Sequence, residues 1–148
     1  MENVRVYDMP PCKMAVSKCG MFGDGKLEPF ADWFSSLPKT MFPRDYLWYD
    51  SVNGGFVWYY MCDKNMVVPE DFEVIDFPGG LYAVATDVDG QDNANVLNAI
   101  KDFIKEKGCF EEDYSREYLG NIVTSQSACK AMGYNQMDYY IPVKIKYI

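Results

Sequence analysis

Hydrophobic and polar positions along this chain divide it into a short run of elements that occurs twice. From Val4 the residues alternate at the period of a strand. Leu27, Phe30, Trp33, Phe34 and Leu37 then recur at helical spacing as one apolar stripe, with Asp24 ahead as a candidate N-cap and Pro29 tolerable in a first turn. Two aromatic strands are predicted next, Tyr46 to Ser51 and Phe56 to Cys62, around the turn Asn53-Gly54-Gly55. Lys64 to Asp71, with Pro69, reads as a linker. A second helical stripe, Leu97, Ile100, Phe103 and Ile104, stands behind the cap candidates Asp92 and Asn93 and stops at Gly108. Strands are predicted after it at Tyr114 to Leu119 and Met137 to Ile145. Between them, Ser125 to Met132 reads as a short extra helix capped by Ser125 and ended by Gly133.

The two runs are related in sequence. Val6-Tyr7-Asp8-Met9-Pro10-Pro11-Cys12-Lys13-Met14-Ala15-Val16 aligns with Val74-Ile75-Asp76-Phe77-Pro78-Gly79-Gly80-Leu81-Tyr82-Ala83-Val84 at an offset of 68, with five of eleven positions identical. The helical stripes match at an offset of 70, a drift that one small loop insertion supplies. Each run therefore reads β-α-β-β, repeat 1 over about 1–63 and repeat 2 over about 72–148, within a single domain. A helix with one apolar face needs a sheet to cover it. The expectation is an α+β fold of duplicated β-α-β-β units, forming an antiparallel sheet with two helices on one face. A central ligand groove is expected at the seam between the repeats.

Composition narrows the chemistry. At 148 residues the chain has the size of one ordinary domain, and its aromatic share of 16% is high. The formal net charge of −8 repels phosphate backbones, so direct nucleic-acid binding is not expected. No basic head with an apolar stretch opens the sequence and no long apolar run occurs, so a cytoplasmic protein without a membrane span is expected. Five scattered cysteines read as free thiols. With no histidine, imidazole triads and imidazole metal ligation are excluded, leaving Asp, Glu, Tyr, Cys and Lys for any reaction. The glycine-rich run Cys19 to Gly25 lacks a phosphate-loop ending and reads as a rim loop. Asp87, Asp89 and Asp92 lack the remainder of a calcium loop and read as a solvated turn; no metal or cofactor is expected.

Two segments carry a family resemblance. Phe72 to Val84, containing Pro78-Gly79-Gly80-Leu81-Tyr82-Ala83, resembles the Pro-Gly-Gly-x-Tyr-Ala strand entry of the GyrI-like small-molecule-binding domains, also called AraC-type effector-binding domains. Met137-Asp138-Tyr139-Tyr140-Ile141-Pro142-Val143 is similar to that family's closing strand, Glu-Leu-Tyr-Ile-Pro-Val. The resemblance spans nearly the whole chain, because the family fold is itself a duplicated β-α-β-β unit. It implies drug sensing or sequestration, in a groove for bulky, often cationic aromatic compounds with an acidic residue at its floor. Asp138 stands four residues before Pro142, where the family has Glu, and is one methylene shorter. A catalytic subset of the family opens cyclopropane-bearing toxins by adding water with Glu and Tyr.

Strand alternation places Asp138, Tyr140 and Pro142 on one face, opposite Met137, Tyr139, Ile141 and Val143. The matching strand of repeat 1 sets Phe56, Trp58 and Tyr60 opposite Val57, Tyr59 and Met61. The aliphatic-richer faces suit the helices, so Trp58, Tyr60, Tyr140 and Asp138 are expected to line the groove, with Tyr82 beside the glycine entry and Glu117 as a second acid. For Tyr46 and Trp48 a core role is favoured. An acid flanked like Asp138 by apolar and aromatic neighbours either serves a site or needs a buried hydrogen-bond partner. The leading expectation is a hydrophobic or cationic small-molecule partner. A hydrolase using Glu117, Asp138 and Tyr140 is the first alternative, and an acidic protein-interaction module with an unknown protein partner the second.

Overall fold

A computed structural model describes residues 3–146. The chain gathers into two compact units, the first formed by residues up to Pro10 together with those from Gly79 onward, the second by Pro11–Pro78. Its elements are β1 (Arg5–Met9), β2 (Cys12–Val16), α1 (Glu28–Ser35), β3 (Asp45–Asp50), β4 (Gly55–Met61), β5 (Glu73–Phe77), β6 (Gly80–Val88), α2 (Ala94–Lys107), β7 (Phe110–Glu112), β8 (Leu119–Ile122), α3 (Gln126–Met132) and β9 (Gln136–Ile145). No helix among the described residues is long and apolar enough to cross a membrane.

Unit boundaries cut across the repeats because the leading strand of each repeat pairs in the other unit. β1 runs antiparallel to β6, from Arg5 opposite Val84 to Met9 opposite Gly80. β5 runs antiparallel to β2, from Glu73 opposite Val16 to Phe77 opposite Cys12. Adding 68 to the β1 residues, and subtracting it from those of β6, carries the first register onto the second. At the Pro10-Pro11 joint, no N–H is available to continue a ladder, and at the equivalent Pro78-Gly79-Gly80 the glycines take φ +69 and +118; at each joint the flanking strands pair with other partners.

In the first unit β6 lies between β1 and β9, and one edge of β9 receives β8 along its first half and β7 along its second. One face of this sheet packs on α2. Ala83, Ala85, Ile141 and Val143 meet the helix residues Val96, Ile100 and Ile104, all 6% exposed or less. Full burial of each branched side chain contributes about 1.5–3 kcal/mol. The helix starts where Asp92 accepts a hydrogen bond from the Ala94 N–H and stops at Gly108 in the left-handed conformation, as its sequence predicts. α3 is likewise capped by Ser125, whose hydroxyl accepts from the Ala128 N–H, and ends at Gly133.

The strand predicted from Tyr114 to Leu119 is instead a loop as far as Tyr118, with β8 beginning only at Leu119. Asp113 is the cause. Its carboxylate accepts from the Ser115 N–H at 3.0 Å, the Ser115 hydroxyl at 2.6 Å and Arg116 Nε at 3.1 Å, which folds the backbone into a turn.

In the second unit the sheet order is β3-β4-β2-β5. The β3–β4 hairpin closes where Asp50 accepts from the backbone of Val52 and Asn53 and Gly54 takes φ +72. α1 covers one face with rings: Phe30 is fully buried beside Trp33, Phe34 and Phe72, at centroid separations of 4.8–5.9 Å. Trp58 and Tyr60 belong to this same cluster, Phe34 lying 5.3 Å from Trp58 and stacked 5.7 Å from Tyr60. The expected face assignment is therefore reversed in this unit. Trp58 and Tyr60 point at the helix, while Val57, Tyr59 and Met61 occupy the other face.

Candidate functional site

The face of the first unit turned away from α2 collects the chemistry. Directly opposed residues of neighbouring antiparallel strands point to the same side, and register sets Thr86 opposite Asp138, Val84 opposite Tyr140, and Tyr82 opposite both Pro142 and Tyr7. On the other edge of β9, Asn121 lies opposite Asp138 and Leu119 opposite Tyr140. Four strands thus bring Tyr7, Tyr82, Tyr140, Asp138, Thr86, Asn121 and Arg5 together.

Asp138 is 6% exposed and fully engaged. Thr86 Oγ1 donates to its Oδ1 at 2.5 Å and Arg5 Nη2 to its Oδ2 at 2.8 Å. The same Arg5 nitrogen reaches Thr86 Oγ1 at 3.2 Å, and Arg5 Nε donates to the Tyr7 hydroxyl at 2.6 Å. The carboxylate expected to serve as an unpaired acidic floor is thus already neutralised from within the chain, by an arginine 81 residues from Thr86 in sequence.

Rings continue along the same face from this pair. Tyr140, 4% exposed, lies 6.3 Å from Tyr7 and 6.0 Å from Tyr82, the latter edge to face. Tyr82 is 1% exposed and its ring carries the Arg116 guanidinium at 4.7 Å. Burial pushes the Tyr82 phenol up, against the opposing pull of that guanidinium. Arg116 is itself fixed by the carbonyls of Gly79, Leu81 and Val143 at 2.8–3.2 Å and by Asp113 at 3.1 Å. A Cβ on Gly80 would lie 2.7 Å from Arg116 Nη1, which gives the Pro-Gly-Gly-x-Tyr segment a physical reason: the glycine makes room for the cation that seats Tyr82.

Of the remaining candidates, Glu117 is exposed in the β7–β8 loop. Trp58 and Tyr60 lie in the second unit's helix-side cluster. There the half-buried Asp45 has its carboxyl raised by burial, offset in part by hydrogen bonds from its own N–H and the Trp58 side chain. Among the described residues, two buried polar atoms are missed by the sequence pattern. Asn121 Oδ1 and Trp48 Nε1 are enclosed without a hydrogen-bond partner. Asn121, 3% exposed, had a signal, a polar amide between Leu119 and Ile122 in a strand-like run. The five cysteines carry no disulfide.

This sheet face thus sets tyrosine rings and a buried amide beside a part-buried ion pair. Residues 47–143 match the family described as Cass2, integron-associated effector binding protein. The chain belongs to that family and is a GyrI-like effector-binding domain. Among solved structures it is similar to a hydrolase from Listeria innocua, with TM-score 0.71 and 8% identity over 96% of this chain and 92% of that one. It is similar to the EcmrR C-terminal domain, with TM-score 0.66 and 8% identity over 97% and 98%. It is also similar to SAV2435 solved with bound tetraphenylphosphonium, with TM-score 0.56 and 9% identity over 96% and 94%. At these identities the likeness is one of fold. No curated protein matches the chain significantly in sequence.

Proposed function

We propose that this effector-binding domain takes hydrophobic, cationic aromatic small molecules on the first unit's sheet face opposite α2, for sensing or sequestration. The observation that carries the reading is Asp138, a carboxylate 6% exposed on the sheet face that also bears Tyr7, Tyr82 and Tyr140. Burying an ionised carboxylate costs several kcal/mol unless a cation accompanies it; the part-exposed Arg5 fills that place here, so the position suits a cationic ligand that takes it over. The phosphonium bound by the structural neighbour SAV2435 has the same combination of rings and positive charge. Each ring face contributes about 0.5–2 kcal/mol to a cation, and two or three such contacts with apolar burial lead to affinities on the order of micromolar.

The hydrolytic alternative asks for a carboxylate free to take a proton from water. Both Asp138 oxygens are engaged and Glu117 is exposed in a loop, so binding is the reading the geometry favours. Thermal melting against a panel of cationic dyes and neutral aromatics tests it. Cation-selective stabilisation is expected; a melting temperature unmoved by every compound would refute the proposal.

A further inference from the structure

Asp138 and Asn121 lie side by side on β9 and β8, and their hydrogen-bonding states differ. The carboxylate receives N–H and O–H donors from Arg5 and Thr86. The amide oxygen, on a residue 3% exposed, receives none. A buried acceptor without a donor carries the full desolvation penalty of that group, so a ligand that brings a donor gains where one without a donor does not.

Arg5 differs from the other members in its freedom. Its strand β1 is the edge of the first unit's sheet, pairing there with β6. Its side chain is 35% exposed against 8% for Asp138. A long stem at a sheet edge can carry its charged head outward into water at low cost. The fixed cation of this face is instead Arg116, tied to three carbonyls.

We propose that Arg5 is a resident cation that holds the ligand's place at Asp138, and that the compounds able to displace it are cations bearing N–H donors, of the amidinium or guanidinium class. This rests on the binding reading above and deepens it. Such a head replaces the donor that Arg5 withdraws from Asp138 and supplies the missing one to Asn121 Oδ1. A fully substituted ammonium or phosphonium cation neutralises the carboxylate but leaves Asp138 Oδ2 and Asn121 Oδ1 without donors. One hydrogen bond to a charged acceptor corresponds to about tenfold or more in affinity.

The test is a calorimetric titration of the full chain with 4-biphenylamidinium and 4-biphenyltrimethylammonium, which share rings and charge and differ in N–H groups. The wild type is expected to bind the amidinium at least about tenfold more tightly. Arg5→Met removes the competitor, so both compounds should gain, the trimethylammonium by about tenfold or more. Asn121→Ala should cost the amidinium severalfold and leave the trimethylammonium unchanged. Equal binding of the two compounds by the wild type, with no gain in Arg5→Met, overturns this inference while the binding reading stands. Absence of binding of either compound to both proteins removes the binding reading and this inference with it. Should Arg5→Met fail to fold, the wild-type Arg5 Nε–H resonance decides. Its shift and faster solvent exchange on saturation with the amidinium are expected once the bond to Tyr7 is released, and an unchanged resonance with ligand bound contradicts displacement.

Discussion

The two units repeat one pattern of positions and fill it with opposite chemistry. Matching β6–β9 to β2–β4 by register sets Asp138 equivalent to Val57, Tyr140 to Tyr59 and Asn121 to Trp48, while the 68-residue offset sets Arg5 equivalent to Glu73 and Thr86 to Lys18. In the first unit the helix side is aliphatic and the far side holds charge, amide and rings. In the second the helix side is the ring cluster, and no ion pair occupies the positions equivalent to Arg5 and Asp138. The unpartnered buried polar atoms Asn121 Oδ1 and Trp48 Nε1 fall at equivalent places, one an acceptor and one a donor. The two units share one scaffold and differ in the side chains placed on it.

The largest expected effect comes from breaking the cores. Phe30→Ala removes the ring that binds the second unit's cluster and should cost about 3–5 kcal/mol, and Ile100→Ala about 2–5 kcal/mol in the first, measured by urea unfolding. Next comes the contrast between the equivalent positions on β1 and β5. Arg5→Met leaves Asp138 buried beside Thr86 alone, and its cost should be about 2–3 kcal/mol after allowance for the exposure of Arg5. Glu73→Met, at the exposed counterpart, should fall within about 0.5 kcal/mol. Glycines sharpen the comparison further. Gly80→Ala meets both φ +118 and Arg116 and should cost about 2 kcal/mol, whereas Gly54→Ala, with φ +72 and open space, should cost about 1 kcal/mol.

The smallest effect is in the acid limb. Hydrogen bonds from the Ser115 hydroxyl and N–H, with Arg116 behind them, hold the Asp113 carboxyl at about 2. Its folded value lies below the unfolded one of about 4. Its stabilisation is therefore complete above about pH 4 and is lost as the pH falls through about 2. Asp113→Asn should flatten the stability profile over that window.

What the sequence disclosed follows from where the information is local. Proline and glycine punctuation set the ends of β1, β2, β5 and β6, and helix caps set α2 and α3. The Asp113 turn escaped because a side chain capturing its own backbone overrides the strand pattern of Tyr114 to Leu119. The face of Trp58 and Tyr60 escaped because both sides of β4 bear rings, so alternation does not separate them. The partner of Asp138 escaped because β1 pairs with a strand some 80 residues away, a contact that no window of sequence contains. The same requirement that flagged Asp138, a polar group among apolar neighbours, would have flagged Asn121.

On the binding reading proposed above, Asp138 on the first unit's far face recognises the ligand's charge. Titration of wild type and Asp138→Asn with 4-biphenylamidinium and with neutral 4-biphenylcarboxamide tests it most directly. A loss of about tenfold or more is expected for the cation and a change within about twofold for the neutral compound. An equal loss for both, or none for either, would contradict it.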